Sequence, residues 1–255
     1  MAIFDTHAHY MKEDFGDDLD PLLEELPRKG VERVLAVGCD IESSKEETAL
    51  AERYSYVWAA AGIHPEHAAE VSEDWETELE QLLAHKKVAA LGEIGLDYHY
   101  PEPPKDVQQR IFRRQLEIAA KHDKPVIIHS RDASGDTLEI LKEYKPRGVL
   151  HCFSGSAETA REIVKLGMYI GFTGVLTFKN SKKAWAACAE VPIDRLLLET
   201  DCPYMAPVPH RGERCDSSMI AFTAAKMAEI KGVSAEEMIE TARENGERLF
   251  FNGKN

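Results

Sequence analysis

Short runs of apolar residues recur along the chain, separated by longer stretches whose apolar positions repeat every three or four residues. The short runs are rich in Val, Ile, Leu and Ala. They fall at about 2–6, 33–38, 57–62, 88–94, 125–129, 147–152, 169–174 and 195–200. Most are continuously apolar rather than alternating, the pattern of parallel strands covered on both faces. Helical patterns lie between them, near 17–28, 43–53, 73–84, 105–122, 135–144, 156–166, 181–189, 217–230 and 234–248. In the clearest, Val107, Ile111, Phe112, Leu116, Ile118 and Ala119 form one stripe, with Pro103 and Pro104 ahead of it and Pro125 behind. Ser43, Ser72, Ser134 and Ser156 are predicted N-caps, and Ser234 with Glu237 has the spacing of a capping box. Eight strand–helix alternations predict the α/β class and a (β/α)8 TIM barrel, with residues 1–255 as one domain. The competing open, doubly wound sheet loses its usual signature, since no GxGxxG follows the first strand.

Composition narrows the function. The chain has 255 residues, 44% of them hydrophobic and 30% charged, enough apolar material for one large core. No apolar run approaches the roughly 18 residues of a membrane helix. The formal charge is −14, which repels a polyphosphate at long range and argues against a protein that coats duplex DNA. An enzyme with a locally positive site is compatible with that charge. The five cysteines are odd in number and never in a CxxC pair, so no disulfide framework is expected. The N-terminus has neither a basic segment nor a long apolar one, and the cytoplasm is the expected compartment.

The chemistry sits at the strand ends. His7, His129 and His151 stand at or just beyond such ends, His9 follows His7 by two, and His64 lies past the third strand. Glu93 is placed at the end of the fourth strand and Asp201 after the eighth. In a barrel, all carboxyl ends meet at one mouth. Imidazoles with carboxylates are a ligand set for first-row divalent ions. His7 and His9, two apart on an extended segment, project to the same side. Glu93 and Asp201 can bridge two ions. Without metal, two confined carboxylates should repel, so that one resists ionising. A single histidine at a strand end is usually only hydrogen-bonded or exposed, but convergence of His7, His9, His129 and His151 with Glu93 and Asp201 points to a metal site. His67, His85, His99 and His122 read as surface residues, and Cys152 and Cys202 as small buried hydrophobes beside the ligands.

Six motifs, in this order and spacing, resemble TatD-like DNases. They are Asp5-Thr6-His7-Ala8-His9, Gly62-Ile63-His64-Pro65, Gly92-Glu93-Ile94-Gly95-Leu96-Asp97-Tyr98, His129-Ser130-Arg131-Asp132-Ala133, His151-Cys152-Phe153-Ser154-Gly155 and Glu199-Thr200-Asp201-Cys202-Pro203-Tyr204. The resemblance runs from Ile3 to the final helix. It implies a TIM-barrel hydrolase that cleaves DNA phosphodiesters with two divalent ions, of the Zn, Mn, Mg or Ni kind. It implies His7, His9, Glu93 and Asp201 as ligands of one ion, and Glu93, His129 and His151 as ligands of the other. His64 looks like a mouth residue near the first ion. Asp201 and Glu93 carry the catalytic roles, Asp201 orienting the attacking water or taking its proton. Arg131 and Arg211, with Arg214, are candidates for phosphate contact. The chain departs from the family pattern at Tyr10-Met11, at Gly135 and at Cys215-Asp216-Ser217. Two ions outweigh two carboxylates, so the mouth is locally positive within an acidic surface. Short, single-stranded or end-directed DNA is the expected substrate, and neither a membrane nor an obligate protein partner is expected. The rivals are a metal-dependent amidohydrolase or esterase acting on a small molecule, and a metal-stabilised binding protein without catalysis. Many amidohydrolases bridge their metals with a lysine on the fourth strand, where this chain carries Glu93.

Overall fold

In the computed structural model, which describes residues 2–251, each predicted apolar run forms a strand. They are β1 (Ile3–Ala8), β2 (Val31–Val37), β3 (Val57–Ala61), β4 (Val88–Asp97), β5 (Val126–Arg131), β6 (Gly148–Leu150), β7 (Tyr169–Phe172) and β8 (Leu196–Leu198). Neighbours in sequence are neighbours in the sheet, and each pairing from β1 through β8 is parallel. The ends then meet. Ala8 bridges Cys202, His9 N–H donates to Cys202 O at 2.8 Å, and Asp201 N–H donates to His7 O at 2.9 Å. The architecture is the (β/α)8 barrel, closed at the level of the candidate ligands.

Two apolar layers explain the continuous strand pattern. Inside the barrel, Phe4, Leu35, Ala60, Ala90, Ile127, Val149, Tyr169 and Leu197 contribute one side chain per strand. Leu249 and Phe250 of the terminal helix Ala235–Phe250 join that cluster. Outside, Val34, Ala36, Ala59, Leu91, Ile128, Leu150, Ile170 and Leu198 pack toward the helices. A strand buried on both faces has no polar face to alternate with. Among the described residues, no helix is long and apolar enough to cross a membrane.

The predicted strand ends need correction where the site is built. Glu93 and His129 lie inside β4 and β5, which continue to Asp97 and Arg131 in mutual register. Gly95 permits this. Its φ is 139°, and a Cβ there would strike the His129 carbonyl oxygen. β8 is shorter than predicted, and Asp201 stands beyond it, as expected.

Helix starts are also corrected. The N-cap of Ile41–Arg53 is Asp40, whose carboxylate accepts from Ser43 N–H at 2.7 Å, while Ser43 Oγ accepts from Asp40 N–H at 2.9 Å. Ser43 is the third helical residue of a capping box, not the cap. Ser72 and Ser134 do not cap. Asp74 and Ala133 occupy those positions, and neither makes a capping bond. Ser156 and Ser234 do cap. The helix expected over 17–28 runs as Leu19–Glu25 between two 3₁₀ turns, the second of which holds Pro27, a residue that cannot donate to a helical ladder.

Candidate metal centre

The two-residue period of a strand carries the interior face upward to the mouth. On β5, Ile127 is inside the barrel and His129 and Arg131 follow at the same parity. Val149 is followed in the same way by His151, and Leu197 by Glu199 and Asp201. β1 instead changes register between Asp5 and Ala8. Just beyond the strands, the non-glycine residues Asp132, Cys152, Asp201 and Met205 have φ between 42° and 60°. Each such left-handed residue costs of order 1 kcal/mol or more, and persists because the surrounding contacts hold it.

The six predicted ligands come together around Glu93. Its Oε2 lies 3.4 Å from His7 Nε2 and 3.7 Å from His9 Nε2. Its Oε1 lies 2.7 Å from His151 Nε2 and 2.8 Å from His129 Nδ1. Asp201 Oδ1 closes the first side, 3.4 Å from His9 Nε2 and 3.7 Å from His7 Nε2. The two Nε2 atoms of His7 and His9 face each other at 3.1 Å, and the rings of His7 and His151 stack at 3.9 Å. Glu93 is 3% exposed, so its charge must be met by groups inside the protein.

Electrostatics divide the imidazoles of this pocket: burial works against charge on His9 and His151, but Cys39 and Asp201 for the first and Glu93 for the second hold both above the ordinary range. Burial pulls His7 down to about 4 and His64 down to about 3, so both are neutral lone-pair donors at pH 7. Burial also works against charge on His129, but hydrogen bonds to Asp97 and Glu93 outweigh it and hold the ring at about 9. The expected repulsion of two carboxylates is not what the structure shows. Burial would raise Glu93 and Asp201, yet the surrounding imidazoles overcome it: His151, His7 and His64 for Glu93, and a hydrogen bond from His9 for Asp201. Both end below the ordinary carboxylate range, because each carboxylate faces imidazoles more closely than it faces the other.

The donor set fits a divalent ion. His9 Nδ1 lies 2.7 Å from the Val37 carbonyl, so a ring that gave up its second proton to an ion would present Nε2 as the ligand atom. That Nε2, the Nε2 of His7 and oxygens of Glu93 and Asp201 converge on one small volume. The Nδ1 atoms of His7 and His151 are buried without a hydrogen-bond partner. Within 4.8 Å of one another stand ligand atoms of His7, His9 and Asp201, of His7, Glu93 and His151, and of His64, Glu93 and His129. His9, Cys39 and Glu93 form a further such group.

The remaining predicted residues separate. His64 is at the mouth but on the His129 side of Glu93, with rings 4.5 Å apart, rather than beside His7 and Asp201. The third βα loop emerges beside β4 and β5, which sets that side. Arg131 is half exposed, 4.0 Å from Asp97. Arg211 stacks on Phe178 at 4.5 Å. Arg214 pairs with Asp18 at 2.8 Å, a surface contact away from the ligands. His67, His85, His99 and His122 pair with surface carboxylates, as expected.

Sequence reasoning missed four buried acids. Asp97 Oδ2 lies 2.8 Å from His129 Nε2. Glu199, raised by burial to about 8, accepts from Cys152 N–H and lies 3.7 Å from His151 Nδ1. Asp5 accepts from Thr200 and Ser217 hydroxyls at 2.6 and 2.7 Å. Glu47 accepts from Tyr10 N–H at 2.7 Å. Acids within otherwise apolar strands were the available signal for Asp5, Asp97 and Glu199. Glu47 looks like any helical surface glutamate.

A family model described as TatD related DNase matches residues 4–251. The chain belongs to this family. It is 43% identical over 251 residues to YabD of Bacillus subtilis, named an uncharacterized metal-dependent hydrolase, covering 97% of this chain and 98% of the relative. It is 32% identical over 258 residues to a protein of Cronobacter sakazakii named 3'-5' ssDNA/RNA exonuclease TatD, covering 98% of each chain. The crystal structure of the TatD homolog YjjV from Escherichia coli superposes with a TM-score of 0.92 at 33% identity, covering 97% of each chain. The phosphotriesterase homology protein of Escherichia coli, solved with phosphate in its active site, shares the fold at 16% identity and a TM-score of 0.73.

Proposed function

We propose that this TatD-family protein is a divalent-metal-dependent phosphodiester hydrolase acting on the ends or single strands of nucleic acid. One observation carries the reading. The Glu93 carboxylate is shared, with one oxygen facing His7 and His9 and the other facing His129 and His151. A single carboxylate between two imidazole pairs would suit two divalent ions, His7, His9, Glu93 and Asp201 holding one and Glu93, His129 and His151 the other. The relative named as a single-stranded DNA and RNA exonuclease supports the substrate class. The whole chain, 1–255, is read as one hydrolase domain, and its unpaired cysteines suit the cytoplasm.

Ions held there would supply a Lewis acid and an acidified water suited to attack at phosphorus. The chain's own residues do the rest. Asp201, kept ionised, is placed to orient that water and accept its proton. Asp97 holds the ring of His129 and lies beside Arg131. Arg131, with its exposed guanidinium, is positioned to hold a non-bridging phosphate oxygen, and Arg211 is the outer candidate.

The test is a substrate panel after chelation. The apoprotein should hydrolyse neither bis-p-nitrophenyl phosphate nor a single-stranded oligonucleotide, and Mn²⁺ or Mg²⁺ should restore both. Turnover of amides or lactones in place of diesters would move the protein to the amidohydrolase reading.

A further inference from the structure

The described residues leave five large hydrophobic side chains exposed: Tyr100, Tyr204, Met205, Val208 and Phe222. All five fall in two segments, the loop after β4 and the loop after β8 with the helix Ile220–Lys231 that it feeds. Isolated exposed apolar residues are ordinary, but their confinement to two segments that follow barrel strands marks a binding surface.

Tyr100 and Tyr204 flank the ligand cluster. Tyr204 follows Asp201 by three residues, its N–H donates to Asp201 O at 2.9 Å, and it is 56% exposed. That is the His7–His9 side of Glu93. Tyr100 follows Asp97 by three residues and is 53% exposed. The Arg131 guanidinium lies 5.6 Å from its ring centre and 4.0 Å from Asp97, which lies 2.8 Å from His129. That is the opposite side of Glu93, and a cation stands between the ring and the cluster.

We infer that Tyr100 and Tyr204 are stacking platforms for nucleobases on either side of the phosphate held at the cluster, with Arg131 taking the phosphate beside Tyr100. The inference rests on the phosphodiesterase reading and commits it to single-stranded nucleic acid. Each base has a π-face, so a tyrosine platform accepts any sequence, while a duplex keeps those faces stacked internally. Stacking also answers the charge of −14. A chain that cannot attract a polyanion by its net charge can hold it by apolar contact.

The experiment uses the Mn²⁺-loaded protein and single-stranded oligonucleotides, normal or with the two terminal bases removed. Tyr100→Ala and Tyr204→Ala should each raise KM for the normal strand about tenfold, whereas Tyr100→Phe and Tyr204→Phe stay within about twofold, since the ring does the stacking. Removing the terminal bases should raise the wild-type KM by a similar factor and abolish the difference between wild type and the Ala variants. Bound metal should remain at the wild-type stoichiometry. Ala variants with wild-type KM, or a penalty that persists on the base-free strand, would overturn the inference. If wild type hydrolyses no oligonucleotide, the phosphodiesterase reading itself fails. Binding then decides the platforms: a strand carrying terminal 2-aminopurine should be quenched by wild type and the Phe variants but not by the Ala variants, and equal quenching by all overturns the platforms.

Discussion

Glu93 is held by what surrounds it. Four imidazoles lie within 3.7 Å of its two oxygens on the predicted ligands alone, and His64 adds a fifth at that distance. In metal-free protein, Glu93→Gln should therefore lower stability by about 3 kcal/mol, the cost of removing one partner from a buried charge network. With metal the gap should widen. Wild type gains about 2.7 kcal/mol per independent site at a hundredfold excess of metal over Kd, and the variant much less. Thermal unfolding of both proteins, with and without Mn²⁺, checks this; a metal-free variant as stable as wild type would remove Glu93 from the network. Glu47 behaves oppositely. Burial pushes it from an ordinary 4.5 up to about 8, and its Oε2 has no partner. The folded protein thus binds more protons than the unfolded chain between those values, and stability from this group falls as pH rises through them. Glu47→Gln should match wild type near pH 5 and exceed it at pH 8.5 by a few kcal/mol at most. Parallel unfolding curves across that range give the sign directly.

Between elements, the eighth βα loop is tied to β1 through buried hydroxyls. Ser217 Oγ donates to Asp5 at 2.7 Å and lies 2.7 Å from Tyr10 Oη, while Ser217 N–H donates to Tyr10 Oη at 3.1 Å. Thr200, one residue before Asp201, donates to the same Asp5 from both its N–H and its hydroxyl. Asp5 therefore gathers the strand that carries His7 and the segment that carries Asp201. Tyr10 and Ser217 meet here and satisfy each other. Ser217→Ala strands two buried partners and should cost about 1–3 kcal/mol. Ser217→Pro also removes the N–H and should cost more. Urea unfolding ranks the two, and calorimetric Mn²⁺ titration should show weaker binding in both if the tie positions His7 and Asp201.

For the whole molecule, charge and shape act together. The net charge is acidic, and the candidate ligand imidazoles and proposed ions gather at one mouth. Few phosphates can be neutralised at once, so the dependence of substrate binding on salt should be shallow. Single-stranded or frayed ends should be cleaved faster than covalently closed duplex. Time courses on linear and closed plasmid at several salt concentrations check both. Rapid nicking of closed circles with a steep salt slope would contradict the end-directed reading.

The alternation of apolar runs and helical stripes was enough by itself to specify the barrel. Parallel strands buried on both faces leave an unmistakable continuous pattern, and the right-handed βα repeat allows few other closures. The HxH pair, Glu93, the two later histidines and Asp201 were legible as well, because topology sends every strand end to one mouth. What the sequence could not contain is distance. That Glu93 meets His129 depends on Gly95 letting β4 and β5 approach, a contact between residues 34 apart. That Arg214 faces Asp18 while Arg131 faces Asp97 depends on how loops fold over the rim. The buried partners Asp97, Glu199, Asp5 and Glu47 became visible only once packing removed them from water. Desolvation turns an ordinary carboxyl into a functional constraint, and only the tertiary structure determines desolvation.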